Sequence, residues 1–138
     1  MTTSEGRTGG CLCGQVRFTL TGTLRPVTFC HCRQCQKTHG SFGAYTAVET
    51  GGITMLKDSG LSWYRSSATA RRGFCRSCGS SLFWEPSHGR YLAVAAGSLD
   101  DTEGLAGAAH IFVADKGCYY TIADGLPQYF ADSGGAAG

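Results

Sequence analysis

Seven of the eight cysteines fall into three tight groups: Cys11-Leu12-Cys13-Gly14, Cys30-His31-Cys32-Arg33-Gln34-Cys35 and Cys75-Arg76-Ser77-Cys78-Gly79. Neighbours this close rarely meet the geometry of a disulfide with one another, yet they readily converge on one ion. A disulfide framework also wants a secreted chain. Residues 1–10 are polar, with no apolar run of the kind a signal peptide needs. Compartment and spacing therefore both favour thiolate ligation of a metal.

The Cys75-x-x-Cys78-Gly79 group has the form of a zinc knuckle. Its two thiolates sit on one turn, and the glycine lets the backbone fold under them. One pair cannot complete a tetrahedron, and Cys11-x-Cys13-Gly14 is the natural second pair. A four-thiolate site joining residue 11 to residue 78 would be closed and structural. The bland alternative is that Cys11 and Cys13 are ordinary buried thiols.

The central group differs, because Cys30, Cys32 and Cys35 supply only three thiolates. Three protein ligands with an open position is the arrangement of a reactive zinc. Three thiolates leave Zn²⁺ with a net charge of about −1, which weakens its hold on water but still suits an external thiolate. The competing reading is a second structural site closed by His31, His39, His110 or Cys118.

The elements that must position these groups read as strands. Gln15 to Thr21 alternates polar and apolar, and Ser41 to Val48 does so less cleanly. Short apolar runs follow at Ile53–Leu56, Leu61–Tyr64, Ser81–Trp84, Tyr91–Ala96 and His110–Ala114, separated by Gly, Asp or Ser clusters. A helical turn is expected only around Arg33–His39. The class is all-β (β-rich with short helical turns). At 138 residues the chain fits one domain, placed at 10–130, with 1–9 a flexible N-terminus and 131–138 a flexible tail. A net charge of +2 gives no reason to expect nucleic acid or an anionic membrane, and no stretch reaches the length of a membrane span. The expected location is cytoplasmic.

Taken in order, CLCG (11–14), CHCRQC (30–35), GSFGAY (40–45), RGFCRSCGSSLF (72–83), GSLD (97–100) and the late His110-Ile111 with Asp124-Gly-Leu-Pro-Gln128 resemble the glutathione-dependent formaldehyde-activating enzyme family, the CENP-V/GFA domain. The resemblance runs from about Gly10 to Phe130. It implies a β-rich, Mss4-like zinc fold with two Zn²⁺ per chain. One zinc would be structural, on Cys11, Cys13, Cys75 and Cys78, and one catalytic, on Cys30, Cys32 and Cys35. It also implies a carbon–sulfur lyase activity that reversibly joins formaldehyde to the thiol of glutathione.

Such a reaction needs a proton donor for the developing alkoxide, and histidine is the expected type. His31, inside the ligand loop, and His39, shortly after it, are the candidate catalytic residues, each weighed against a surface or supporting role. Arg33, Lys37, Arg71 and Arg72 could meet substrate carboxylates but read as solvated surface charge. Phe42, Tyr45, Phe74, Phe83 and Trp84 read as core, Asp100 as a turn cap and Cys118 as a small buried hydrophobe. The other class of function is a non-enzymatic zinc module binding a macromolecule, which would carry two closed sites and an exposed patch. Sulfoxide reduction ranks behind both, since only Cys118 is spare for it.

Overall fold

Period-two alternation in a handful of short segments accounts for the architecture. The computed structural model describes residues 2–132. Strands β1 (Thr2–Gly10), β2 (Arg17–Leu24) and β5 (Ile53–Lys57) form one antiparallel sheet in the order β1-β2-β5. The other seven strands are β3 (Val27–Cys30), β4 (Gly43–Glu49), β6 (Leu61–Ser67), β7 (Ala70–Cys75), β8 (Ser81–Pro86), β9 (Tyr91–Ala95) and β10 (Gly107–Ile111). Their sheet runs β10-β3-β4-β9-β8-β7-β6, antiparallel except where β10 pairs parallel with β3. One α-helix among the described residues, α1 (Arg33–His39), joins β3 to β4. No helix is long and apolar enough to cross a membrane among the described residues.

The larger sheet has two unlike faces. Val48 on β4, Phe83 on β8 and Leu92 and Val94 on β9 point one way and pack against Phe18 and Leu20 of β2. Phe18 and Phe83 meet edge to face, with ring centroids 5.2 Å apart. Their neighbours in sequence must point the other way. That opposite face carries Tyr45, Trp84, Tyr91 and Ala93, and Cys35 from α1 lies on it. Of the five aromatics expected in the core only Phe83 is in this one: Tyr45 and Trp84 belong to the second face, Phe42 is exposed and Phe74 is half-buried outside both clusters.

Two expectations about the termini are corrected or fall outside view. Thr2–Gly10 is strand rather than flexible lead, laid antiparallel on β2 from Thr2↔Leu24 to Gly10↔Arg17. Its far edge is held as well: the Arg7 guanidinium donates to the carbonyls of Asp101 and Glu103, and Thr8 Oγ1 to Asp100. Backbone pairing made this strand, which is why a polar, glycine-bearing sequence gave no apolar signal for it. At the other end, residues 133–138 lie outside the described residues, while Ala131 is held by a 2.7 Å hydrogen bond from the Phe112 N–H.

Phe18 is buried without remainder, and its ring meets Phe83 between the sheets. Phe18→Ala is expected to cost about 3–5 kcal/mol in urea unfolding, the range for losing a large core ring.

Candidate functional site

The outer cysteines close on one another where β1 ends and β7 ends. Cys11 Sγ lies 3.7 Å from Cys13 Sγ, which lies 3.8 Å from Cys75 Sγ, and all four sulfurs including that of Cys78 are within 4.8 Å of one another. Four thiolates around zinc at ~2.3 Å have a tetrahedral edge of ~3.8 Å. A disulfide would bring sulfurs to ~2.0 Å, and none of the cysteines is in one. The donors thus fit a single tetrahedral ion. Supporting hydrogen bonds also favour thiolate: the Val16 N–H donates to Cys11 Sγ at 3.2 Å. The Ser80 hydroxyl, then the N–H groups of Ser80 and Cys13, draw the Cys78 thiol down to about 5. Gly79, at φ 81°, turns the knuckle as expected.

The central three cysteines stand on the second face of the large sheet. Cys30 ends β3, Cys32 caps α1 by accepting the Cys35 N–H at 3.4 Å, and Cys35 lies buried one turn in. Their sulfurs also lie within 4.8 Å of one another. The Cys30 and Cys35 thiols, with the N–H groups of Cys35 and Gln34, draw negative charge onto Cys32. All three residues line a cavity of about 380 Å³, walled further by Tyr45, Arg72, Trp84, Tyr91, Ile111 and Phe112. This set can hold a metal ion with three protein donors while its surroundings leave room for a small molecule.

Arg72 and Tyr45 connect the sulfurs to a histidine. The Arg72 guanidinium donates to Cys35 Sγ at 3.8 Å, to Gln34 Oε1 at 3.4 Å and to the Tyr45 hydroxyl oxygen at 3.3 Å. The same hydroxyl lies 2.6 Å from His39 Nε2. With Arg72 donating to its oxygen, Tyr45 gives its own proton toward the ring. Burial first, and then the Arg72 charge, push the His39 pKa down, so its nitrogen is free to accept. Gly43 makes this approach possible, since a Cβ there would stand 2.7 Å from the Tyr45 ring and 2.9 Å from that of His39.

The profile of the glutathione-dependent formaldehyde-activating enzyme family matches residues 6–115, a span that contains all seven clustered cysteines and most of the chain. The chain belongs to this family. It is also 25% identical over 126 residues to an uncharacterized lyase of Schizosaccharomyces pombe, covering 90% of each protein. A crystal structure of a Rhodobacter sphaeroides protein shares the fold, with a TM-score of 0.58 at 21% identity, over 70% of this chain and 91% of that one. Family and relative together support an enzyme of the lyase kind.

Within this member of the formaldehyde-activating family the two candidate histidines part company. His39 reaches the cavity through Tyr45, whereas His31 turns its ring away from it. His31 is wholly buried, with Nδ1 on the Tyr120 hydroxyl and Nε2 2.9 Å from His110 Nδ1, and His110 Nε2 is 2.8 Å from Asp124 Oδ2. Burial, with the charges of His110 and Lys116, holds His31 down at about 4 and therefore neutral. Asp124 accepts the His110 Nε2 proton, and the contacts continue from His110 Nδ1 to His31 Nε2 and from His31 Nδ1 to the Tyr120 hydroxyl. One chain of hydrogen bonds thus ties the late Asp124 motif to the ligand loop. His110 is committed to this chain, which leaves it no part in closing the central cluster.

Other expectations divide by environment. Arg33 is exposed on Gln36, Lys37 is exposed, and Arg71 pairs with Glu85 at 2.7 Å over the Trp63 ring. Arg72, read as surface charge, is instead 8% exposed at the cluster. Asp100 does not cap a turn but accepts both Arg17 nitrogens, at 3.0 and 2.5 Å. Cys118 is exposed rather than buried, and it is not among the cavity's lining residues. Sequence reasoning passed over Arg25 and read Tyr91 and Phe112 only as members of apolar runs. Phe112 has φ 55°, and it is the sole non-glycine residue in the left-handed region among those described. Such a conformation is rare for a bulky residue, and Phe112 lines the cavity.

Two sulfur sets predict two metal ions per chain, measured by elemental analysis of protein purified without added metal. Cys75→Ser should abolish folding or nearly so, since structural zinc affinity is folding free energy on the order of 10 kcal/mol. Cys32→Ser should leave a folded chain with one ion fewer, read from the same metal analysis and a thermal melt.

Proposed function

We propose that this chain is a zinc-dependent lyase of the carbon–sulfur class, joining formaldehyde or a related small aldehyde to a small thiol such as glutathione. The observation that carries the reading is that all three central cysteines line one cavity, beside a buried arginine and a hydrogen-bonded tyrosine. The formaldehyde-activating chemistry for which the family is named and the cysteine clusters agree with it. On this reading Cys11, Cys13, Cys75 and Cys78 hold a structural Zn²⁺, and Cys30, Cys32 and Cys35 a catalytic one. Zinc bound at the second set would lower the pKa of a substrate thiol enough to ionise it near neutrality.

The chain's own residues supply the rest. Arg72 offsets the excess negative charge of the three thiolates from within hydrogen-bond reach of Cys35. The apolar walls of Trp84, Ile111 and Phe112 limit water around the aldehyde. In the addition, a sulfur lone pair forms the C–S bond and the carbonyl π pair moves onto oxygen. That oxygen takes the Tyr45 hydroxyl proton, the thiol's proton leaves to solvent, and a solvent proton restores Tyr45 by way of His39. His31 acts through structure, holding the ligand loop against the Asp124 segment. A macromolecule-binding module, the other class the sequence allows, gives no reason for a buried guanidinium and an aromatic wall around a third thiol.

Exchange NMR of the formaldehyde–thiol equilibrium, run over a panel of small thiols, is expected to show acceleration by the zinc-loaded protein that is lost in Cys32→Ser. Tyr45→Phe should lower the rate by about 10²–10⁴-fold, the usual worth of a positioned proton donor. Thiol affinity should be retained in that variant, as measured by equilibrium titration.

A further inference from the structure

Arg25 is a partly buried cation lining the cavity that the mechanism above does not use. It sits in the connection between β2 and β3, pinned on both sides to β4. Its N–H donates to the Ala47 carbonyl at 3.0 Å, and its carbonyl accepts from Thr46 Oγ1 at 2.6 Å. The side chain lines the cavity, with Nη2 donating to the Tyr45 carbonyl at 3.2 Å. Its Nε is buried without a hydrogen-bond partner. No carboxylate forms an ion pair with it among the described residues, and the cavity's one acidic lining residue, Asp132, is exposed. Burial works against its charge, with only the Tyr91 phenol to offset this. A guanidinium so placed lacks its natural counterpart, a planar anion.

Its relation to Arg72 shows where that anion belongs. Arg72 is more deeply buried, at 8% exposure, and its terminal nitrogens are spent on Tyr45, Gln34 and Cys35, so its charge answers the sulfur cluster. Arg25 stands at the other end of the same tyrosine, on the backbone carbonyl rather than the hydroxyl. The two cations are therefore about one tyrosine apart along a single cavity, one beside the sulfurs and one uncompensated. A molecule whose sulfur lies at the cluster and whose carboxylate lies a few bonds away spans that length.

We propose that Arg25 binds a carboxylate of the thiol substrate, so that the cavity selects anionic thiols over neutral ones. The inference rests on the proposed thiol chemistry of the central cluster and adds the class of thiol to it. Arg25 is a specificity residue here, distant from the bond that forms.

The test uses the full chain loaded with Co²⁺, whose thiolate-to-metal absorption reports sulfur entering the central site. Two matched pairs are titrated: 3-mercaptopropionate against its methyl ester, and glutathione against its diethyl ester. The acid of each pair is expected to bind at least about tenfold tighter than its ester, the range of one charge-assisted hydrogen bond. Arg25→Gln should bring the ratio to about one with ester affinity unchanged, and Arg25→Lys should retain part of it. The wild-type comparison needs no variant, so a poorly folding Arg25→Gln leaves the test intact. Equal binding of acid and ester by the wild-type protein, with both perturbing the cobalt spectrum, overturns the role of Arg25 and leaves the reaction standing. If no thiol alters the spectrum, the thiol reading of the cluster and the Arg25 proposal fail together.

Discussion

Crowded sulfur is the constraint on which the rest of the molecule turns. Two unit charges ~4 Å apart repel by about 4 kcal/mol at an effective dielectric of 20. Four thiolates at that spacing have six such pairs, a penalty beyond the whole stability of an ordinary domain, about 5–15 kcal/mol. The arrangement persists only with protons or a cation among the sulfurs. The N–H and hydroxyl donors aimed at Cys11 and Cys78 favour the ionised form, and so a cation. Once that cation is in place, the start of the chain is fastened to the end of β7, across 62 residues between Cys13 and Cys75. A loop of that length gains much from closure, because its entropy is lost once rather than at every opening.

The second constraint is the alternation of side chains across a strand. Because successive residues point to opposite faces, the same strands that bury Val48, Phe83 and Val94 must present Tyr45, Trp84 and Ala93 on the other side. The core thus fixes the cavity floor: a slip of one residue in the β4–β9 register would exchange the two sets. Placing the reactive groups on a sheet locked by its far side gives them more rigid support than loops would. Only the ligand loop and α1 stand off the sheet, and they are held by Cys32 capping the helix and by the buried His31 chain.

Much of this was legible in the sequence, and the exceptions have physical causes. Cysteine spacing identified both sulfur sets because neighbouring ligands are local information, and seven of the ten strands were visible through apolar runs or alternation. β1, β3 and β7 were not, being respectively polar, only four residues long, and carrying two arginines and a glycine in six positions. For Arg72, whether it is solvated or buried depends on which face β7 presents, a long-range fact. Tyr45 and Trp84 were read as core, and that they line the cavity instead depends on the same long-range fact. Arg25 carried no signal at all: a lone arginine before a proline looks like a turn residue until β4 folds against it.

Tyr45 joins these parts into one device. Its carbonyl holds Arg25, and its hydroxyl meets Arg72 and His39. A single residue on a central strand therefore sets the distances among Arg25, Arg72 and His39. The opposite wall is built at some cost. Phe112 stands in the left-handed region, worth roughly 1–3 kcal/mol of strain for such a residue. That conformation is held because its N–H bonds to Ala131 and its neighbour Val113 bonds to Tyr129. The parallel pairing of β10 with β3 sets Ile111 beside Cys30, so the strained turn begins one residue past the sulfur ligand. The late segment therefore does two things at once: through His110 it orders the ligand loop, and through Ile111 and Phe112 it closes the cavity over the same ligands.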